Sequence, residues 1–508
     1  MKAKTVWTLF ALGTVVWLLL NLWLAPQENG PDVMIFRDAG WNLAASGHFE
    51  TIGLIYARDL KPHLFAHYTP LMPLLFAAYL KIFPQNAYAG TIFNLLLGYA
   101  ASACALFWVL KCKFGGSVKT VAALMLALFP VALITVDRPE ALGLFLSVLF
   151  LGHVAHVGSK SWISGMLAAL LFLAAPYAAL MAMVWCFFYS LGHKGLRLPG
   201  RVAARTMVGA AAGFLLLLLP VATLFEALDR QAWRRFAQHA LGVNSGVGHV
   251  LQNHSGLILR LGDMPIWQHL HWHGLSTIHE LNYIAPGILL AGYMLWAGLS
   301  WRRSHEQQKL LLAAGVGVVF FTICLFPVQY NYLSWLAFFL PVAVLICSKE
   351  VTAQKPALIL LLGALMTVYL PDQLTKIPIR AGERASCEAE KSQLDFLAKH
   401  LDGSRSIVAF QGNVYDYYKP RFPYLFNVFY LQNDAINTVD VAAVVNCYRA
   451  YDGSKGALQP FPAGIDSAHF HLLQASPEHV HPQVFGRPMA YAEWGFGCDV
   501  YLRNSLLG

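Results

Sequence analysis

The sequence predicts a polytopic α-helical membrane protein with a small α/β unit at its C-terminal end. Three observations point there. Of 508 residues, 57% are hydrophobic and only 12% are charged, where a soluble domain carries about 25% charged residues. Apolar runs long enough to cross a bilayer recur along most of the chain. Lysines and arginines sort to alternate connecting segments, which is how membrane proteins record their orientation.

The chain opens with MKAK and an apolar run from Thr5 to Ala25. About twenty such residues span a hydrocarbon core. The basic start resembles a signal peptide, but no small-residue cleavage site follows, so the run is read as an uncleaved first helix. Further spans are predicted at 87–110, 120–136, 140–157, 161–175, 176–192, 206–226, 282–300, 309–326, 331–347 and 356–371, about eleven transmembrane helices in all. Residues 161–192 form one apolar stretch that Pro176 divides into two helices. The segment "PLMPLLFAAYLKIFP", 70–84, has three prolines and Lys81 within fifteen residues. It is too short to cross and is read as an interfacial or re-entrant helix.

With the N-terminus inside, the inner segments, counting Lys309 at the edge of its span, hold fifteen Lys and Arg residues against two acids, Glu306 and Glu350. Counting 70–84 as a span would invert every later segment. The formal net charge of +9 therefore reports orientation, and no nucleic-acid partner is needed to explain it. Residues 1–371 are assigned to a transmembrane domain with outward loops 26–86 and 227–281. Residues 372–508 are assigned to an extracytoplasmic α/β domain, in which "SQLDFLAKHL" reads as a helix and "SIVAF", "VDVAAVV" and "CDVYLRN" as strands. The eight cysteines form no CxxC pair. Cys387, Cys447 and Cys498 lie in the polar part, where an oxidising compartment would allow one disulfide and one remaining thiol.

Loop one begins "PDVMIFRDAGWNLAASGHF". It places Asp32 and Asp38 in a chain short of charge. Val33, Phe36, Gly40, Leu43 and Ala44 fall at helical spacing, which predicts a helix with an apolar face on the membrane surface. Asp32 heads that helix, as an N-cap or as a base beside a lipid-borne substrate. Asp38, on another face, reads as a solvated acid or a residue behind the site. Arg37, Arg58, Lys61, His63 and His67 crowd the same loop, some as phosphate ligands and most as solvated groups, with Arg37, like Asp38, also read as a residue behind the site. Lys81 either snorkels or faces the donor. "VDRPE" brings Asp137, Arg138 and Glu140 to an outer helix end, as helix punctuation and as substrate ligands, two compatible roles. Loop 227–281 holds seven histidines. Its "WQHLHWHG" would align His269, His271 and His273 on one strand face. Imidazole is a common zinc ligand, but no Cys completes a tetrahedral set. The loop is read as an aromatic lid over sugar, with His271 and His273 behind the site, and no metal or cofactor is assigned.

Together these motifs resemble the GT-C superfamily of polyprenyl-phosphate-sugar-dependent glycosyltransferases, such as the aminoarabinose transferase of lipid A and the protein O-mannosyltransferases. The resemblance rests on an acid after the first helix, Asp32, followed fifteen residues later by Gly47 in "AASGHF". It continues with the Pro-rich "YTPLMPLLFAAYLKIF" from Tyr68 and the second acidic motif "DRPEALGLFL" from Asp137. It covers roughly the first 190 residues by motif and the rest by topology. Where the aminoarabinose type has a Lys before its Pro-Pro-Leu, this chain has Tyr68 preceded by His67, and a Lys between helices five and six gives way to "AAPYAAL". Phosphate binding must therefore use other cations. The resemblance implies Asp32 as general base, Asp137 and Glu140 on sugar or acceptor hydroxyls, Arg138 on phosphate, and His67, Tyr68 and Lys81 lining the donor. It implies a polyprenyl-phosphate sugar donor and a lipid, glycan or protein acceptor, at the outer face of a bacterial inner membrane. A lipid-linked sugar flippase lacks support from matching halves. An O-antigen ligase or polymerase draws on the His-rich loop but not on loop one.

Overall fold

The computed structural model describes residues 3–24, 32–51, 62–65, 69–83, 88–129, 139–157, 161–194, 200–228, 278–302, 306–325, 330–348 and 351–366. It also describes, in the C-terminal part, 384–403, 406–411, 415–427, 440–452, 455–458, 464–475 and 494–507, with a few shorter pieces. The helices are α1 (Ala3–Trp23), α2 (Asp32–Ser46), α3 (Leu71–Ile82), α4 (Ala89–Lys111), α5 (Gly116–Leu128), α6 (Glu140–Gly152, continued by a π-turn at His153–Val157) and α7 (Ser161–Ala174). They continue with α8 (Pro176–Lys194), α9 (Gly200–Leu228), α10 (Ile278–Trp301), α11 (Glu306–Leu325), α12 (Tyr330–Cys347) and α13 (Val351–Ala364). Each predicted spanning run is helical over its described part. Helices α1 and α4 are long and apolar enough to cross a membrane, and α3, α5 to α10, α12 and α13 hold shorter apolar stretches. Leu12, Val15, Val16 and Leu19 of α1 and Leu215, Leu216 and Leu219 of α9 are exposed, the surface expected of helices bathed in lipid rather than water.

Without a hydrophobic drive between helices in lipid, close packing depends on small residues. Helices α7 and α9 meet this way. A Cβ on Gly165 would lie 1.9 Å from the Ala210 carbonyl oxygen, and one on Gly213 would lie 2.0 Å from that of Trp162. Backbone, not a movable side chain, fills both places. Gly165→Val is expected to push the helices apart at a cost of roughly 1–3 kcal/mol or more, seen as a lower melting temperature of the detergent-solubilised protein.

Helix α3 has 12 residues, about 18 Å of helix, which is little more than half a hydrocarbon core. Its Met72, Phe76, Tyr79 and Leu80 are buried while Leu74, Leu75 and Ile82 are exposed. Ahead of it, strands β1 (Glu50–Thr51) and β2 (His63–Leu64) form a short antiparallel pair. Of loop 227–281, the strand pair β3 (Arg260–Leu261) and β4 (Met264–Pro265) and the start of α10 are described.

The C-terminal part holds α14 (Arg384–His400), the turn α15 (Tyr415–Tyr418) and strands β5 (Ile407–Gln411), β6 (Tyr424–Asn427), β7 (Val441–Asp452), β8 (Lys455–Leu458), β9 (Phe470–Gln474), β10 (Gln483–Val484), β11 (Arg487–Pro488) and β12 (Trp494–Arg503). The main sheet runs β6-β5-β7-β12-β9, with β8 paired to β7. Strand β5 is parallel to β6 and β7, and the remaining pairs are antiparallel. Val441, Ala443, Val444 and Val445 are all buried, as a central strand covered on both faces requires. One cover is α14, which packs on β12 and turns Leu394, Leu397 and the following Leu401 inward at helical spacing. The Gln393 side chain donates to the Cys498 carbonyl at 2.9 Å and accepts from its N–H at 3.2 Å. Both backbone groups are thereby satisfied at a register shift in β12. Cys498 is disulfide-bonded, and Cys387 is buried.

This sheet unit is fastened to the helices. Arg380 donates to Asn21 of α1 at 2.8 Å. Arg384 lies 5.8 Å over the Trp23 ring, and Lys391 lies 5.5 Å over Tyr88 at the head of α4. The end of α1, the start of α4 and the C-terminal unit therefore share one end of the helix bundle.

Candidate active site

Helix α2 begins at Asp32 and ends where Gly47 takes φ of +80° and returns its N–H to the Leu43 carbonyl at 3.2 Å. A positive φ at this position suits glycine. Every residue from Phe36 to Trp41 is buried. That overturns the expectation of a helix lying on the membrane surface. Its apolar face rests on α3, with the Trp41 and Phe76 rings 6.1 Å apart edge to face. Its other face meets α15.

That second contact is built from charge. Arg37 Nη1 donates to Asp416 Oδ2 at 2.7 Å, Trp41 Nε1 donates to Asp416 Oδ1 at 2.9 Å, and the Gly90 N–H donates to Asp416 Oδ2 at 2.7 Å. The Tyr415 hydroxyl donates to Asp38 Oδ1 at 2.6 Å. The Lys419 ammonium pairs with the same carboxylate and donates to the Pro423 carbonyl. Asn42 Nδ2 donates to the Glu50 carbonyl at 2.6 Å, tying α2 to β1. Arg37, Asp38 and Asp416 are each 1% exposed and Lys419 is 3% exposed. Charges so deeply buried persist only when paired and hydrogen-bonded. Here Arg-Asp on α2 meets Asp416 on α15 and Lys419 just after it, and the four sum to zero. Burial pulls the Lys419 ammonium below its ordinary pKa, with the Asp38 charge opposing. Burial, followed by the Asp38 charge, pushes the Tyr415 hydroxyl well above its own. The phenol therefore stays a donor.

Gly90 makes the closure feasible. A Cβ there would lie 1.9 Å from Arg37 Cζ. The N-cap of α4, Tyr88, makes no side-chain capping bond. Asp416 supplies an acceptor and a negative charge at that helix N-terminus, where both are favourable.

Of the two readings of Arg37 and Asp38, as solvated groups or as residues behind the site, the solvated one is therefore corrected. Both are interior groups, because α15 covers the face that sequence spacing left open. Among the other candidates, Glu140 is the first residue of α6 and is 2% exposed. Pro139 stands at its N-cap, one place earlier than expected, with its carbonyl accepting from the Gly143 N–H at 2.7 Å. Cys112 after α4 and His156 after α6 meet at 3.7 Å, so Glu140 lies toward the opposite end, where Asp416 caps α4. Thr69 Oγ1 donates to the Ala174 carbonyl at 2.8 Å, tying the entry of α3 to the α7–α8 turn. Lys81 is exposed on the last turn of α3. The Asp32 side chain, His67, Tyr68, Asp137, Arg138, His271 and His273 lie outside the described residues. No group of three or more His, Cys, Asp and Glu among the described residues is disposed to hold a metal.

The residues that sequence reasoning missed are Tyr415, Asp416 and Lys419 in "VYDYYKP". The available signal was an acid and a lysine three residues apart in an aromatic turn, the mirror of Arg37-Asp38.

The helices and the sheet unit together match a known arrangement. The crystal structure of ArnT from Cupriavidus metallidurans bound to undecaprenyl phosphate is similar with a TM-score of 0.50 and 11% identity, over 84% of this chain and 86% of that one. This chain shares the fold of that structure, a GT-C glycosyltransferase. The Archaeoglobus fulgidus oligosaccharyltransferase, tethered to an acceptor peptide with the NVT sequon, is similar over 87% of this chain and 68% of that one, with 11% identity and a TM-score of 0.47. No family model and no curated protein matches the sequence. The likeness is one of fold. In this GT-C fold, α2, the head of α4 and the C-terminal sheet unit are joined into one body by the Asp416 and Asp38 contacts.

Proposed function

We propose that this protein is an integral membrane glycosyltransferase that moves a sugar from a polyprenyl-phosphate carrier to an acceptor hydroxyl at the outer face of a bacterial inner membrane. The observation that carries the reading is the setting of α2. A GT-C fold holds an otherwise enclosed loop-one helix so that its first residue is an acid. The ArnT structure contains undecaprenyl phosphate, which favours a donor of that chemistry here. The disulfide at Cys498 favours an oxidising compartment for the C-terminal unit and so an inward N-terminus.

In this reading Asp32 takes the proton from the acceptor hydroxyl. The oxygen attacks the anomeric carbon, the bond from that carbon to the phosphate oxygen breaks, and polyprenyl phosphate leaves with the electron pair. Attack opposite the leaving group inverts the configuration, by the logic of paired carboxylate chemistry on sugars. Arg138, His67, Tyr68 and Lys81 serve the phosphate and lipid end. Asp137 and Glu140 serve hydroxyl groups. His271 and His273 lie behind them in the lid. The acceptor is a lipid, a glycan or a protein, and none of the groups named requires a cofactor.

The test is transfer by the membrane-reconstituted protein from a panel of radiolabelled polyprenyl-phosphate sugars. Release of unlabelled carrier with label passing to an acceptor, or to water as a slow substitute, is expected for at least one donor. Movement of intact lipid-linked sugar across the vesicle, with no cleavage of any donor, would overturn the reading in favour of a flippase.

A further inference from the structure

The clamp on α2 grips a particular side of the helix. At 3.6 residues per turn, Arg37, Trp41 and Asp38 stand about 140°, 180° and 240° round from position 32. The C-terminal turn therefore holds the back of the helix relative to its first-turn acid. On the α3 side, Gly40 lies close against the Pro73 carbonyl and Phe76, and Trp41 packs edge to face on Phe76. The polar side adds directed bonds. Asp416 receives three donors from two helices, and Asp38 receives Tyr415 and Lys419.

We infer that Asp416 and Lys419 are positioning residues: they lock the back of α2 to the head of α4 and so set the rotation of α2 and the azimuth of Asp32. The inference rests on the reading of Asp32 as the base. Both residues act through α2 and neither touches the reacting atoms. The C-terminal unit then belongs to the catalytic machinery of the membrane domain, and this chain divides the work between an acid in its first loop and a turn near residue 416. Small displacements of a positioned base are expensive in rate and cheap in donor affinity, because a shift of about 1 Å can cost about a hundredfold.

The experiment uses the full-length protein in lipid nanodiscs. Amide hydrogen exchange is followed over residues 32–46 in the wild type, Asp416→Asn, Lys419→Gln and Trp41→Phe. Turnover is measured with the radiolabelled polyprenyl-phosphate sugar that the wild type accepts. In Asp416→Asn, exchange in α2 is expected to rise about tenfold or more while β5 and β7 are unchanged. The kcat is expected to fall about tenfold or more, with the donor KM within about twofold. Lys419→Gln removes the ammonium from Asp38 and leaves Tyr415 as its donor, and both readouts are expected to move in the same direction as in Asp416→Asn. Should Asp416→Asn fail to fold, Trp41→Phe removes one donor without stranding a charge, and about threefold changes of the same sign are expected. Unchanged α2 exchange in both Asp416→Asn and Trp41→Phe would overturn the inference, as would a rise in KM at constant kcat. Full activity of Asp32→Asn would instead remove the base reading, so the two failures are separable.

Discussion

Asparagine in place of Asp32 is expected to slow sugar transfer roughly 10²- to 10⁴-fold, the range a positioned general base contributes. The change keeps shape and removes only the ability to take a proton. If Asp32 were just a helix cap, Asn would serve almost as well, since the two are near-equal at that position. The substitution therefore separates the two roles that the sequence leaves superposed on this residue. Initial rates with the accepted donor are the measurement, alongside the melting temperature. A variant that melts with the wild type and transfers at the wild-type rate would return Asp32 to capping. Asp38→Asn should behave in the opposite way, because it leaves Lys419 buried without its counter-charge. Its first symptom is lost stability.

Lys419→Met is expected to destabilise the protein by about 3–5 kcal/mol, the cost of stranding one member of a buried pair. Asp38 and Lys419 are nearly inaccessible to solvent, so water cannot rehydrate the abandoned carboxylate. Tyr415 still donates to it, which places the loss within that range and not beyond it. The double variant Asp38→Leu with Lys419→Met should recover most of the loss, because replacing both charges by apolar groups of similar volume removes the desolvation cost along with the attraction. Equilibrium unfolding of the single and double variants closes the cycle. An unaffected Lys419→Met would mean that the pair is solvated and that α15 does not seal α2.

Much of the architecture was legible because a membrane writes it in large letters. The apolar runs mark helices, and Pro176 marks the break between α7 and α8. Asp32 at the head of α2 followed from local chemistry, and Gly47 at its end entered through the family resemblance. The burial of Arg37 and Asp38 did not. Helical spacing describes one helix at a time and treats any face without apolar residues as wet. Here that face is dry because a turn 379 residues further along carries the complementary charges. A local pattern cannot register a partner so distant. Likewise, Thr69 reads as an ordinary loop residue until the Ala174 carbonyl is beside it.

The distance between those partners has a temporal meaning. Arg37 leaves the ribosome 379 residues before Asp416, an interval of roughly 20 to 80 s at about 5–20 residues per second. Throughout that interval the first loop carries an arginine and an aspartate with no counterpart yet made, and the head of α4 has no acceptor for the Gly90 N–H. Such groups cannot enter a dry interface alone, so they stay hydrated. The loop that bears the candidate base is among the first segments to be synthesised and among the last to reach its final form.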